Sequence, residues 1–184
     1  MPMTRKLFLF SLLLALSAGG GWAQSAVPKL RILVIHGPNM NMLGRREPQI
    51  YGSMTMAEVN ERIKKVADDI NVEPIFFQSN HIGDIVDFFQ KHIDDADGAI
   101  LNAAGYSQYG VAIHDVMKTV PWPTIEVHMS QLATRDEIHQ GSVISAAARG
   151  SVMGLGWRSY TMALRAVSEI VRDDKAAKSA KGGK

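Results

Sequence analysis

The chain reads as an α/β protein with a parallel sheet covered by helices on both faces. Between about residues 28 and 172, short apolar runs rich in branched side chains alternate with segments of helical periodicity. Strands joined in this way by crossover helices close as a parallel sheet. The second observation is that Asn39, Ser79, Asn102 and His128 each lie just after one of the apolar runs. Ligands of open parallel sheets bind outside the carboxyl ends of the strands, so these four polar groups should share one rim.

Residues 1–23 stand apart from that pattern. Arg5 and Lys6 precede an apolar run over 7–18, and Gly19-Gly20-Gly21-Trp22-Ala23 offers small residues for cleavage before Gln24. This is the layout of a secretory signal. The run is short for a stable membrane span, which takes ~20 apolar residues, although an uncleaved anchor is the competing reading. The chain has no cysteine, so neither a lipid-modified cysteine nor disulfides can hold the exported protein. The expectation is a periplasmic or secreted protein with no stable membrane association after cleavage.

The 184-residue chain carries 20 Lys+Arg against 18 Asp+Glu, and loss of Arg5 and Lys6 with the signal leaves 18 against 18. No basic face emerges on the folded part, which argues against a nucleic-acid partner. Residues 173–184 form a Lys-rich segment with little apolar content, and a disordered tail is expected there.

The remaining domain, 28–172, is long enough for a core of its own. A buried strand over 32–35 stops at Gly37-Pro38-Asn39. Thr55 is placed to cap a helix running to about residue 65, with Glu58 completing a capping box and Val59, Ile63, Val66 and Ile70 at helical spacing. Strands then follow over 73–78, 98–101, 124–127 and 151–155, and helices over 82–93, 111–120 and 158–171.

The loop after the first strand carries Arg45, Arg46, Glu47 and Tyr51 between Gly44 and Gly52, more reactive groups than a connection needs. An ordinary phenol ionises near pH 10, so a tyrosine is a base at neutrality only where a cation stabilises its anion. Arg45 or Arg46 could be that cation, and the glycines could let the loop close over a ligand. The plainer reading has both arginines in solvent and Tyr51 packed on Pro48. His128 follows Glu126 by two residues; an imidazole oriented by a carboxylate can give a proton to a leaving hydroxyl, although a lone histidine after a strand is often structural. Asn39 and Asn102 offer amides to an oxyanion or a water; the plainer reading is that both satisfy turn backbone. Histidines 36, 81, 92, 114 and 139 are scattered, without the spacing of a metal site.

These motifs resemble the type II 3-dehydroquinate dehydratases. The family pattern of Gly-Pro-Asn followed by Leu-Gly-x-Arg-Glu-Pro-x-x-Tyr-Gly matches Gly37-Pro38-Asn39 and the run from Leu43 to Gly52. Phe77-Gln78-Ser79-Asn80-His81, Ala99-Ile100-Leu101-Asn102, Glu126-Val127-His128-Met129-Ser130 and Gly154-Leu155-Gly156 follow in the same order. The likeness spans about residues 30 to 170. It implies a flavodoxin-like three-layer sandwich with a five-stranded parallel sheet and loss of water from 3-dehydroquinate to give 3-dehydroshikimate. The resemblance also implies that no metal, cofactor or Schiff-base lysine takes part. Tyr51 would be the base, made acidic by Arg46; Asn39 would hold a water facing the enolate; His128 would protonate the leaving hydroxyl in an anti elimination. Asn102 would bind substrate and the Met129 and Ser130 amides its carboxylate. Asp115 would reach a neighbouring subunit's site within a dodecamer of trimers.

The chain departs from the family in its substrate contacts. Gln108 stands where the family has a histidine that contacts substrate hydroxyls, and His139 where it has an arginine over the site. Ile82 replaces a common glutamate, and Ala103-Ala104 replace Pro-Gly. An imidazole lacks the permanent bidentate donor of a guanidinium, so contacts at that end must weaken or change partner. An exported dehydratase serving quinate breakdown is the leading expectation. A related hydro-lyase for another cyclic hydroxy acid and a non-catalytic binding protein of the same fold are the alternatives. A phosphate-binding module fits less well, since Gly37-Pro38-Asn39 lacks the glycines and lysine of nucleotide loops.

Overall fold

The computed structural model describes residues 28–183; the expected signal, residues 1–23, lies outside them. Five parallel strands form one sheet in the order β2-β1-β3-β4-β5. They are β1 Leu30–His36, β2 Val72–Gln78, β3 Gly98–Asn102, β4 Thr124–His128 and β5 Gly150–Met153. The order doubles back beside β1, so the carboxyl ends of β1 and β3 open a crevice between them.

Period-two alternation along the central strands sends side chains to opposite faces. Ile32, Val34, Ile100 and Val127 pack beneath α2 (Met56–Asp69) and α5 (Arg158–Gly182), against Val59, Ile63, Leu164 and Val167. Leu33, Ile35 and Leu101 face α3 (Ile82–Lys91) and α4 (Val111–Thr119), against Ile85, Phe89, Ile113 and Met117. The result is the expected three-layer sandwich.

Local chemistry sets the boundaries. Thr55 accepts the Glu58 amide and the Glu58 carboxylate accepts the Thr55 amide, so the capping box forms. The helix then runs past residue 65 to Asp69, ending before Asn71 at φ 54°. The catalytic-looking loop contains one short helix, α1 (Pro48–Tyr51), with proline in its first turn, where a missing amide hydrogen costs nothing. β5 stops at Met153, because Gly154 (φ 85°) turns its amide onto the His128 and Ser130 carbonyls.

The expectation of a disordered tail over 173–184 is corrected for the described part. α5 continues through Gly182. Alanine and lysine are strong helix formers, Lys175 pairs with Asp97 at 2.7 Å, and Arg172 donates to the Ile70 carbonyl at 2.5 Å. Among the described residues no helix is long and apolar enough to cross a membrane.

Candidate active site

The ends of β1, β3 and β4 and the two loops above them enclose a cavity of about 130 Å³. Asn39, Asn102 and His128 stand on its rim, but Ser79, expected there with them, does not line it: its hydroxyl is buried and donates to Asp84 Oδ2 at 2.7 Å. Arg46 and Tyr51 come from the β1 loop; Gln108 comes from the turn after β3, and Met129, Ser130 and His139 from the segment after β4. Asp115 is not brought in. It lies on α4, exposed, with its carboxylate 2.9 Å from His114 Nδ1.

Close backbone contact pins the floor. The Gly37 amide donates to the Asn102 carbonyl at 2.7 Å, and a Cβ at residue 37 would lie 2.4 Å from the Ala103 carbonyl oxygen. Only glycine permits this approach of β1 to β3. Asn39 sits at φ 63°, with its amide donating to Asn80 Oδ1 at 2.9 Å; asparagine tolerates that left-handed backbone better than most residues.

Tyr51 is flanked by two guanidinium groups. Arg46 lies over its ring, 4.8 Å from the centroid, while bonding Glu47 at 2.8 Å. Arg135 donates to the Tyr51 hydroxyl oxygen at 3.0 Å and to Ser130 Oγ at 3.1 Å. Arg45 is exposed and does not line the cavity. Of the two arginines in the loop it is Arg46 that lines the cavity, and Arg135, which touches the Tyr51 hydroxyl, is a side chain that the motifs passed over. Its one sequence signal is an arginine seven positions after His128 in a loop leaving the same rim.

His128 and Glu126 are both buried, with Nε2 and Oε1 2.8 Å apart. Ser142 donates to Glu126 Oε1 at 2.5 Å, and Ser145 and Ser151 donate to Oε2. Burial alone pushes the Glu126 carboxyl up. The bonds from His128, Ser142 and Ser145, with the attraction of the His128 ring, outweigh it and hold the group down at about 2. A carboxylate only accepts, so His128 Nε2 carries a hydrogen and Nδ1 is the nitrogen left to exchange a proton.

Gln108 and His139 meet through backbone. Gln108 Nε2 donates to the Gly141 carbonyl at 3.1 Å and to the His139 carbonyl at 3.4 Å, and His139 Nδ1 is 2.6 Å from Asp136 Oδ1. A wider cleft of about 700 Å³ adjoins the cavity and shares Tyr51, Ser130, Arg135 and His139 with it. Among the described residues no three His, Asp or Glu side chains converge to hold a metal ion. A base flanked by cations, an acid backed by a carboxylate and amides between them can carry out a proton-coupled elimination.

Residues 30–168 match the family model described as dehydroquinase class II. The chain is 47% identical over 142 residues to the 3-dehydroquinate dehydratase of Caldicellulosiruptor saccharolyticus, covering 77% of this chain and 98% of that relative. It is 42% identical over 154 residues to the 3-dehydroquinate dehydratase of Campylobacter hominis, covering 84% and 99% respectively. Crystal structures of type II dehydroquinases superpose on it: that from Butyrivibrio crossotus with a TM-score of 0.74 at 35% identity, covering 76% of this chain and 97% of that one, and that from Propionibacterium acnes with a TM-score of 0.74 at 34% identity, covering 77% and 98%.

Proposed function

The chain belongs to the class II dehydroquinases and is a 3-dehydroquinate dehydratase, and we propose that its elimination runs through an enolate with Tyr51 as base and His128 as acid. Tyr51 oxygen takes a proton from the carbon beside the ketone, and the electron pair moves onto the ketone oxygen as the enolate forms. Collapse of the enolate breaks the carbon–oxygen bond to the hydroxyl, which leaves as water with a proton from His128 Nδ1. Base and acid work on opposite faces of the ring, which makes the elimination anti.

One observation carries this reading: Tyr51 and His128 line the same cavity, each with a partner of opposite charge to the one it must bear. Arg135 and Arg46 stabilise negative charge on the phenolic oxygen. Glu126 compensates the imidazolium that a general acid has to be. Asn39 faces the developing enolate through an ordered water, and a well-aimed donor there lowers the barrier by ~3 kcal/mol. The Met129 and Ser130 amides take the substrate carboxylate, and Asn102 takes a substrate oxygen. Gln108 and His139 shape the hydroxyl end.

The purified protein, assayed by the ultraviolet absorbance of the conjugated enone, tests the assignment. Tyr51→Phe and His128→Ala should remain folded and lose at least ~10²-fold in kcat. Full turnover by either variant removes that residue from its role.

Assembly and export belong to the same proposal. Exposed Tyr109 and Val111 lie within six positions of Asp115 in the chain, which supports a further copy covering this side in a trimer-based dodecamer, with Asp115 serving the neighbour's site. Light scattering of the purified protein measures that assembly. The sequence of residues 1–23 supports export to the periplasm or beyond, where the enzyme would serve quinate breakdown. The N-terminal mass of protein recovered from a periplasmic extract reads the cleavage directly.

A further inference from the structure

We infer that Asn80 is a positioning residue that aims the Asn39 side chain into the cavity, an inference that rests on the place given to Asn39 in the proposed site. Asn39 lines the cavity, yet among the described residues no hydrogen bond to the protein holds its side chain. The direction of that side chain is therefore set by the backbone beneath it.

This backbone is left-handed, at φ 63° and ψ 3°, a region unfavourable to any residue with a Cβ. Neighbours have to hold it there. The Asn39 carbonyl accepts the Met42 amide at 3.0 Å, and the Asn39 amide donates to Asn80 Oδ1 at 2.9 Å. Only the second bond comes from outside the loop. His36 and Gln78 are register partners on β1 and β2, so the two strand ends lie side by side and Asn80 meets Asn39 across 41 positions of the chain.

Asn80 is itself fixed at both ends. A backbone N–H only donates, so the atom facing Asn39 must be the oxygen of the Asn80 amide. Gln78 Nε2 donates to the same oxygen at 3.1 Å and to the Gly37 carbonyl at 3.3 Å. Turning the Asn80 amide over would set N–H against N–H at Asn39. The Asn80 carbonyl in turn accepts the Tyr106 hydroxyl at 2.6 Å, and Tyr106 belongs to the 3-10 turn that brings Gly105 and Gln108 to the cavity. Asn80 thus bridges the loops after β1 and β3, and neither Asn80, Gln78 nor Tyr106 lines the cavity. Its removal leaves the Asn39 amide without its one partner outside the loop, and any change of φ at residue 39 re-aims the side chain.

Kinetics and hydrogen exchange test this. Asn80→Ala should lower kcat on 3-dehydroquinate about tenfold with KM within about twofold of the parent, because the Asn39 contact strengthens only as the enolate forms. Asn80→Asp keeps an oxygen for both donors and should hold kcat within about threefold. Exchange reads the geometry without turnover: the Asn39 amide should exchange at least ~10-fold faster in Asn80→Ala and stay protected in Asn80→Asp. In an Asn39→Ala background Asn80→Ala should have no further effect on kcat. Parent kcat in Asn80→Ala, unchanged exchange at Asn39, or a fall in kcat undiminished in the Asn39→Ala background overturns the inference. Parent kcat in Asn39→Ala alone strikes the premise instead, by removing Asn39 from the site, whereas a slow Asn39→Ala beside a fast Asn80→Ala leaves Asn39 in its role and strikes Asn80 only.

Discussion

Arg135 donates to the hydroxyl oxygen of Tyr51 at 3.0 Å across 84 positions of the chain. The contact joins the β1 loop to the segment after β4, so the cation that touches this phenol comes from a distant part of the chain. Arg46, the nearer arginine in sequence, stacks on the same ring but divides its charge with Glu47 at 2.8 Å. Replacing Arg135 by alanine should lower kcat ~10²-fold, the usual scale for one donor aimed at a reacting oxyanion. Arg135→Lys should recover part of the loss, since it keeps the charge without the rigid fork. Single-turnover rates on 3-dehydroquinate decide it, and wild-type rates in Arg135→Ala would leave Arg46 as the sole cation of the base.

Ala104 holds a left-handed backbone, φ 50°, stabilised by the bond from its amide to Asn102 Oδ1. A Cβ is unfavourable in that region by roughly 1 kcal/mol. Ala104→Gly should therefore stabilise the fold by about 1 kcal/mol, or about 2–4 °C in Tm for a domain of this size. Calorimetry of the pair of proteins measures the difference, and a lower Tm in the glycine variant would contradict the strain argued here.

Most of the rim could be read from the sequence, because a strand's end is marked by the stop of an apolar run. Asn39, Asn102 and His128 needed no more than that. Arg135 could not be found in this way. It lies where the chain makes three short 3-10 turns between Leu132 and Ala146, and such turns carry no periodicity from which to infer a direction. The helical end of α5 was missed for a related reason: an Ala/Lys run lacks the apolar stripe of a packed helix, and its anchor, Asp97, is remote in sequence. The change of Gln108 and His139 from the family pattern was visible, but their contact through the 139–141 backbone was not.

That contact predicts a specificity effect. Gln108 holds the His139 and Gly141 carbonyls with one amide nitrogen, so Gln108→Ala frees the loop that carries His139 over the cavity. KM should rise about five- to tenfold, while kcat changes less than threefold, because loss of this shared pair of neutral bonds, one of them long at 3.4 Å, costs roughly 1 kcal/mol and the base and acid are untouched. A fall in kcat at constant KM would instead make Gln108 part of the chemistry.

Acid should weaken the fold in two stages, one from His36 and one from Glu126. His36 has a folded pKa of about 4 against 6.5, so below pH 6.5 the unfolded chain binds a proton that the folded chain refuses. Stability present above pH 6.5 is lost as pH falls toward 4, by up to about 3 kcal/mol. Glu126, at about 2 against 4.5, contributes stability present above pH 4.5 that disappears between 4.5 and 2, again of the order of 3 kcal/mol. Urea unfolding at intervals from pH 8 to 3 separates the two. His36→Gln should flatten the curve between pH 6.5 and 4 and leave the lower stage in place, while Glu126→Gln should do the reverse at some cost in baseline stability. A parent curve flat from pH 6.5 to 4 would mean that His36 takes up its proton inside the fold as readily as outside it.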